Sequence, residues 1–186
     1  MNLEINLKDK LAIIGASGAG KTIFAKILTK NTNFRYDGNI FLNNFNIKNI
    51  DESVIIKNII YLNSDNTILK ANLMDNITFF NKNANLEKVK DILNLMNLNK
   101  NLFSDVENLS EGQKQKINLA RILMEKENKI LILDEALNNL DIEESKKIRK
   151  LLMEKSKIYI EISHNLNEEK NKFNKILNLK NVHNNF

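Results

Sequence analysis

The chain has 186 residues, 42% of them hydrophobic, a formal net charge of +5 and an isoelectric point near 9.2, which allows one sizeable core in a single domain with subdomains. No cysteine and only two histidines exclude disulfides, thiolate metal sites and a zinc cluster. The lysines are interspersed with Glu and Asn along the whole sequence, the pattern of a solvated surface, so no nucleic-acid partner is expected.

Leu11-Ala12-Ile13-Ile14 predicts a buried strand. It runs into Gly15-Ala16-Ser17-Gly18-Ala19-Gly20-Lys21-Thr22, which fits the phosphate-binding loop pattern of glycine, four residues, then glycine, lysine and serine or threonine. Glycines let the backbone take positive φ and approach an anion closely, so successive N–H groups can face a β-phosphate. Lys21 brings a mobile positive charge and Thr22 a hydroxyl for Mg²⁺. A helix from Lys21 to Thr29, opening on Thr22-Ile23-Phe24-Ala25, turns its positive N-terminus to the same phosphates. A plain glycine-rich turn would show the same residues; the strand before it and the helix after it favour the nucleotide.

The Asn-rich pieces near Asn43 to Asn49 and Asn94 to Asn101 read as loops or helix ends. Between them, Ile59 to Leu62 predicts a strand and Leu86 to Leu95 a helix. Leu109-Ser110-Glu111-Gly112-Gln113 is the second glycine motif. Ser110 with Gln113 three residues on forms a capping-box pattern, predicting a helix from Ser110 to Glu127 whose first N–H groups can bind an anion. Within one chain it would be only a well-capped helix.

Ile130 to Leu133, four apolar residues in a row, predicts a strand buried on both faces. Asp134 and Glu135 follow at the edge where α/β proteins bind ligands. There Asp134 can hold Mg²⁺ through water, and Glu135 can orient or deprotonate an attacking water. Asp141, with Glu144 three residues on, reads as the N-cap of a helix from Ile142 to Lys155. His164 follows the strand Ile158 to Ile162; a lone histidine there is most often a surface residue. Ile176 to Leu179 predicts the last strand, and the alternation implies an α/β fold with a mostly parallel sheet flanked by helices.

Gly15 to Thr22, Leu109 to Gln113, Ile130 to Glu135, Leu140-Asp141 and Ser163-His164 stand in the order and rough spacing of the ATP-binding domain of ABC transporters, which the chain resembles over almost its whole length. The most specific element is the second glycine motif, which resembles the family's signature and is followed by Lys114 to Arg121 as the signature helix would be; Glu111 stands where a glycine is usual. The resemblance implies a P-loop NTPase fold in which residues 1–186 form one ATP-binding domain, with a helical subdomain carrying the signature inserted at about 70–125. Gly38 to Leu42 would belong to a small, reduced antiparallel β subdomain.

On the same ground Gly15, Ala16, Ser17, Gly18, Ala19, Gly20, Lys21, Thr22 and Ile23 would hold ATP, and Thr22, Asp134 and Ser64 would lie at Mg²⁺. Glu135, His164 and Lys21 would serve hydrolysis, with His164 against the γ-phosphate. Two copies would pack head to tail, so that Ser110, Gly112 and Gln113 of one meet the phosphate held by the other's Lys21, with Asp141 at the dimer contact. Tyr61 to Leu69 with Asn72 to Ile77 resembles, in exporter form, the loop that couples the ATP site to a membrane domain, and Val106-Glu107 resembles an exporter contact loop.

Three positions depart from the family pattern. Ser64 stands where the family has a glutamine, and its hydroxyl needs a bridging water to span the same gap. Met1 to Leu7 holds no counterpart of the family's first strand or of the aromatic that stacks on adenine, so similar affinities for ATP and GTP are expected. The stretch from Ile77 to Leu109 is short, leaving one good helix and a second short one. The longest apolar run is a strand's length, so neither a transmembrane helix nor a signal peptide is expected. The expected function is ATP binding and hydrolysis powering transport, as the exporter-like ATPase subunit on the cytoplasmic face of a separate transmembrane subunit. A soluble ABC-type ATPase and a nucleotide switch that hydrolyses poorly are the other two readings.

Overall fold

The computed structural model describes residues 2–65, 67–98, 100–106, 109–126, 128–164 and 166–179. Asn66, Asn99, Glu107 and Glu127, which fall within stretches read above, lie outside them. The chain divides into two compact units, one of residues 1–61, 129–135 and 156–186, the other of residues 62–128 and 136–155.

The first unit is built on a parallel sheet. Its strands are β1 (Lys10–Gly15), β4 (Ile59–Leu62), β5 (Ile130–Asp134), β6 (Ile158–Ile162) and β7 (Lys175–Leu179), ordered β4-β5-β6-β1-β7. The pairs β5–β6, β6–β1 and β1–β7 are all parallel, with Ile132 opposite Ile160 and Ile13 opposite Ile162. Such strands are sandwiched between other elements, which is why Ile-Leu-Ile-Leu at β5 shows no alternation and why Leu131, Ile132 and Leu133 are all buried. Leu11, Ile13, Ile132, Ile160 and Ile162 form the core with Ala25, the buried apolar residue of helix α1 (Lys21–Leu28), and each fully buried aliphatic chain contributes about 1.5–3 kcal/mol.

A two-residue turn, Asn43 and Asn44 at φ 48° and 67°, joins β2 (Phe41–Leu42) to β3 (Phe45–Asn46) in an antiparallel hairpin. Asparagine tolerates the left-handed conformation better than most residues, so this pair does a glycine's work in a chain with five glycines. The strand expected over Gly38 to Leu42 is therefore only two residues long, since Gly38, at φ 98°, bends the backbone ahead of it. Helix α2 (Glu52–Asn58), unforeseen in the sequence, starts where the Asp51 side chain accepts the Ser53 N–H at 2.7 Å.

The second unit holds α3 (Leu73–Thr78), α4 (Leu86–Leu95), α5 (Glu111–Met124) and α6 (Ile142–Lys155). Each starts on a side-chain cap: Asn72 accepts from the Asp75 N–H, Asn85 from Lys88, Ser110 from Gln113 and Asp141 from Glu144. The second short helix expected between Ile77 and Leu109 does not form among the described residues. There the Asn101 side chain accepts the Phe103 N–H at 2.9 Å and Ser104 bonds back to the Asn101 carbonyl, local pairings that compete with a helix.

Candidate functional site

In the first unit, β1 delivers the glycine loop and α1 leaves it. Gly15 takes φ 152° opposite Leu179 of β7, whose carbonyl would collide with any β-carbon added there. Gly18 and Gly20 have open space instead and are needed for their backbone, at φ 78° and 87°. Gly20 caps α1 without any side-chain bond, so no N-cap side chain occupies the N–H groups of the first turn, and Ala16, Ser17, Thr22 and Ile23 lie exposed around them.

Lys21 is only 5% exposed, and its ammonium folds back onto the loop, donating to the carbonyls of Gly15 and Ala16, both at 2.9 Å. Its third partner is Nδ1 of His164 at 3.4 Å. A buried cation whose partners are all neutral is suited to receive an anion. His164 in turn meets the Glu135 carboxylate, Nε2 to Oε1, at 2.5 Å. The two ring nitrogens thus face a carboxylate on one side and the Lys21 ammonium on the other. Beside them Asp134 is 4% exposed, and one of its oxygens accepts from the Tyr61 hydroxyl at 3.0 Å. The first unit thus brings together Lys21, His164 and Glu135 through direct contacts. Tyr61 is part of this group by virtue of the neighbouring strands β4 and β5.

In the second unit, Ser110 and Gln113 close the capping box in both directions, at 3.1 and 3.2 Å, with Ser110 exposed at the head of α5. Gly112 faces the backbone carbonyl of Asn139, which would lie 3.0 Å from an added β-carbon. Asp141 caps α6 through the Glu144 N–H at 2.8 Å. Ser64 stands exposed in a bend spanned by an Asn63–Asp65 side-chain bond of 2.7 Å. A cavity of about 590 Å³ opens among Ile68, Leu69, Lys70, Asp105, Val106 and Leu109, between the two exporter-like stretches.

Sequence reasoning missed a third set. Arg121 donates to the Asn76 carbonyl at 2.7 Å, to Asn76 Oδ1 at 3.1 Å and to the Thr67 carbonyl at 2.7 Å, and lies 4.8 Å from the centre of the Phe79 ring. Asn76, with no exposure, bonds the carbonyls of Leu69, Ala71 and Asn72. This network ties Thr67 and Asn76 to α5. A buried-facing arginine late in the signature helix was the only hint of it.

A family model described as ABC transporter matches residues 1–138. The chain is similar to the lactococcin-A transport/processing ATP-binding protein of Lactococcus lactis subsp. lactis, at 36% identity over 180 residues covering 89% of this chain and 25% of that protein. It is similar to the sublancin-168-processing and transport ATP-binding protein of Bacillus subtilis, at 35% identity covering 89% and 24%, so it spans about a quarter of either relative. A probable ABC transporter ATP-binding protein of Mesomycoplasma hyorhinis is 29% identical, covering 90% of this chain and 74% of its own. Among solved structures, a bacterial Atm1-family ABC exporter with ATP bound shares the fold, with a TM-score of 0.81 and 22% identity over 97% of this chain and 34% of that one.

Proposed function

The chain belongs to the ABC transporter family, and we propose that it binds ATP with Mg²⁺, hydrolyses it, and powers export by dimerising head to tail with a second ATP-binding domain. The observation that carries this reading is the Lys21 ammonium, buried in a glycine loop with neutral partners and linked through His164 to Glu135. Bound ATP offers its β- and γ-phosphates to Lys21, replacing the loop carbonyls as its partners, and to backbone N–H groups of the glycine loop and the first turn of α1.

The donors around the loop fit Mg²⁺, which prefers hard oxygens: the Thr22 hydroxyl and the Asp134 carboxylate, one oxygen of which Tyr61 already holds in place. The ion would neutralise charge on the phosphates during transfer. Ser64 would reach it only through a water. Glu135 orients or deprotonates the attacking water and His164 holds the γ-phosphate side of the site. Ser110, Gly112 and Gln113 supply the grip that closes the partner's site, with Asp141 at the contact.

Transport is supported by the names of the relatives and by the cavity between Ile68 and Val106, where a segment of a transmembrane transporter subunit would dock. No helix among the described residues is long and apolar enough to cross a membrane; the chain would sit at the cytoplasmic face. The reading is tested with a chain carrying Glu135→Gln. ATP should dimerise it in a light-scattering assay and ADP should not. With Glu135→Gln in each, Lys21→Ala and Gly112→Asp chains should fail to dimerise alone, yet their mixture should pair through one intact site. A Gly112→Asp chain that dimerises like its parent would leave the second glycine motif as a capped helix only. A wild-type turnover no faster than that of the Glu135→Gln chain would favour the nucleotide switch, the reading that Ser64 supports.

A further inference from the structure

We propose that Gln115 and Asn139 are positioning residues that lock the segment from Ala136 to Asp141 onto the head of α5, so that the phosphate grip and the dimer contact present themselves to a partner as one unit. This rests on the head-to-tail dimer proposed above.

Gln115 lies five residues beyond Ser110 and has no exposure. An aliphatic chain would fill such a place without a polar cost, so a buried amide there needs both its groups matched. Both are matched by one short segment: Nε2 donates to the Ala136 carbonyl, and Oε1 accepts from Nδ2 of Asn139 at 2.9 Å. Only a primary amide offers a donor and an acceptor at that spacing; glutamate would set lone pairs against the Ala136 carbonyl, and lysine would leave Asn139 without an acceptor.

Two further contacts run between the same pair of elements. Gly112 lets the Asn139 backbone carbonyl approach to within 3.0 Å of where its β-carbon would be. Lys116, one residue past Gln115, pairs with Glu144 at 2.7 Å, with side-chain exposures of 16% and 5%. Glu144 is also the residue whose N–H Asp141 caps. The head of α5 is thereby joined to the segment before α6 by the amide hydrogen bonds of Gln115 and a close backbone approach, and to the first turn of α6 by an ion pair. Asn139 is itself exposed, so water could satisfy it equally well; its bond to a buried amide serves the geometry of its neighbours.

The test uses full chains carrying Glu135→Gln, with Asn139→Ala, Asn139→Asp or Gln115→Leu added. Three quantities are measured: the ATP concentration giving half-dimerisation by light scattering, the monomer's affinity for a fluorescent ATP analogue, and Tm. Asn139→Ala and Asn139→Asp should each raise the half-dimerisation concentration about tenfold, the worth of one or two neutral hydrogen bonds. Monomer affinity should match the parent, and Tm should fall by less than the tenfold shift in dimerisation would account for. Gln115→Leu should shift it further; should that variant fail to fold, the two Asn139 variants decide. An unchanged half-dimerisation concentration in both Asn139 variants overturns the proposal. So does a shift accompanied by a matching fall in Tm, which would make the link merely structural. A parent that ignores ATP overturns both this proposal and the functional reading beneath it.

Discussion

Glu135 is held at φ 56°, a left-handed conformation that costs a non-glycine residue about 1–3 kcal/mol, directly after a strand end and against His164. Strain of this kind persists where surrounding contacts over-determine it, here the β5–β6 ladder and the Glu135 N–H donated to the Ile162 carbonyl at 3.0 Å. Glu135→Gln keeps an oxygen for His164 Nε2 and removes the basic carboxylate. It should lower turnover by roughly 10² to 10⁴, the worth of a positioned base, while ATP binding survives. Steady-state phosphate release within a few-fold of wild type would take the base role away from Glu135. These residues were legible in the sequence because loop, strand and acidic pair each carry a local pattern. Tyr61 was not, since its hydroxyl meets Asp134 across 73 positions of sequence and nothing at Tyr61 itself distinguishes a strand tyrosine that bonds a carboxylate from one that fills a core.

At the scale of elements, runs such as Ile130 to Leu133 and Ile158 to Ile162 were readable because a two-sided buried strand needs no partner to be recognised. Helix α2 was not, because Val54-Ile55-Ile56 is β-branched and reads as strand; in the structure only Ile55 is buried while Ile56 is 72% exposed, and the Asp51 cap decides the matter. The anchoring of β7 was equally invisible. Asp9, 8% exposed before β1, accepts from the Asn6 N–H at 2.6 Å, from Asn174 at 2.6 Å and from Lys175 at 2.7 Å, on the far side of the sequence. These bonds, the Asn6 one foremost, hold its carboxyl at about 2 against an ordinary 3.8. A carboxylate with a depressed folded-state pKa stabilises the fold fully above its unfolded value and loses that contribution as pH falls through the folded one. Asp9→Asn should therefore lower Tm at neutral pH, and the gap from wild type should shrink as the pH drops from 3.8 towards 2. Melting curves of both proteins across that window check it; a gap independent of pH would detach Asp9 from the anchoring of β7.

Over the whole molecule, a chain of 186 residues places four of its five glycines in two motifs and sets several of its other turns and caps with asparagine, as at Asn43, Asn44, Asn72 and Asn85. That division made the glycine motifs conspicuous and the asparagines look like mere compositional bias, though several of them set element boundaries. The Lys21 ammonium has one more consequence. Among the described residues this buried charge is answered by two carbonyls and an imidazole, so a bound anion relieves an electrostatic penalty. Lys21→Met should thus make the nucleotide-free protein melt higher, by roughly 2–4 °C for each kcal/mol recovered, while erasing the rise in melting temperature that ATP gives the wild type. Differential scanning calorimetry with and without ATP would read both; a variant that melts lower when empty would mean the loop carbonyls satisfy Lys21 in full. Resistance to heat and readiness for ATP are here set against each other in a single side chain.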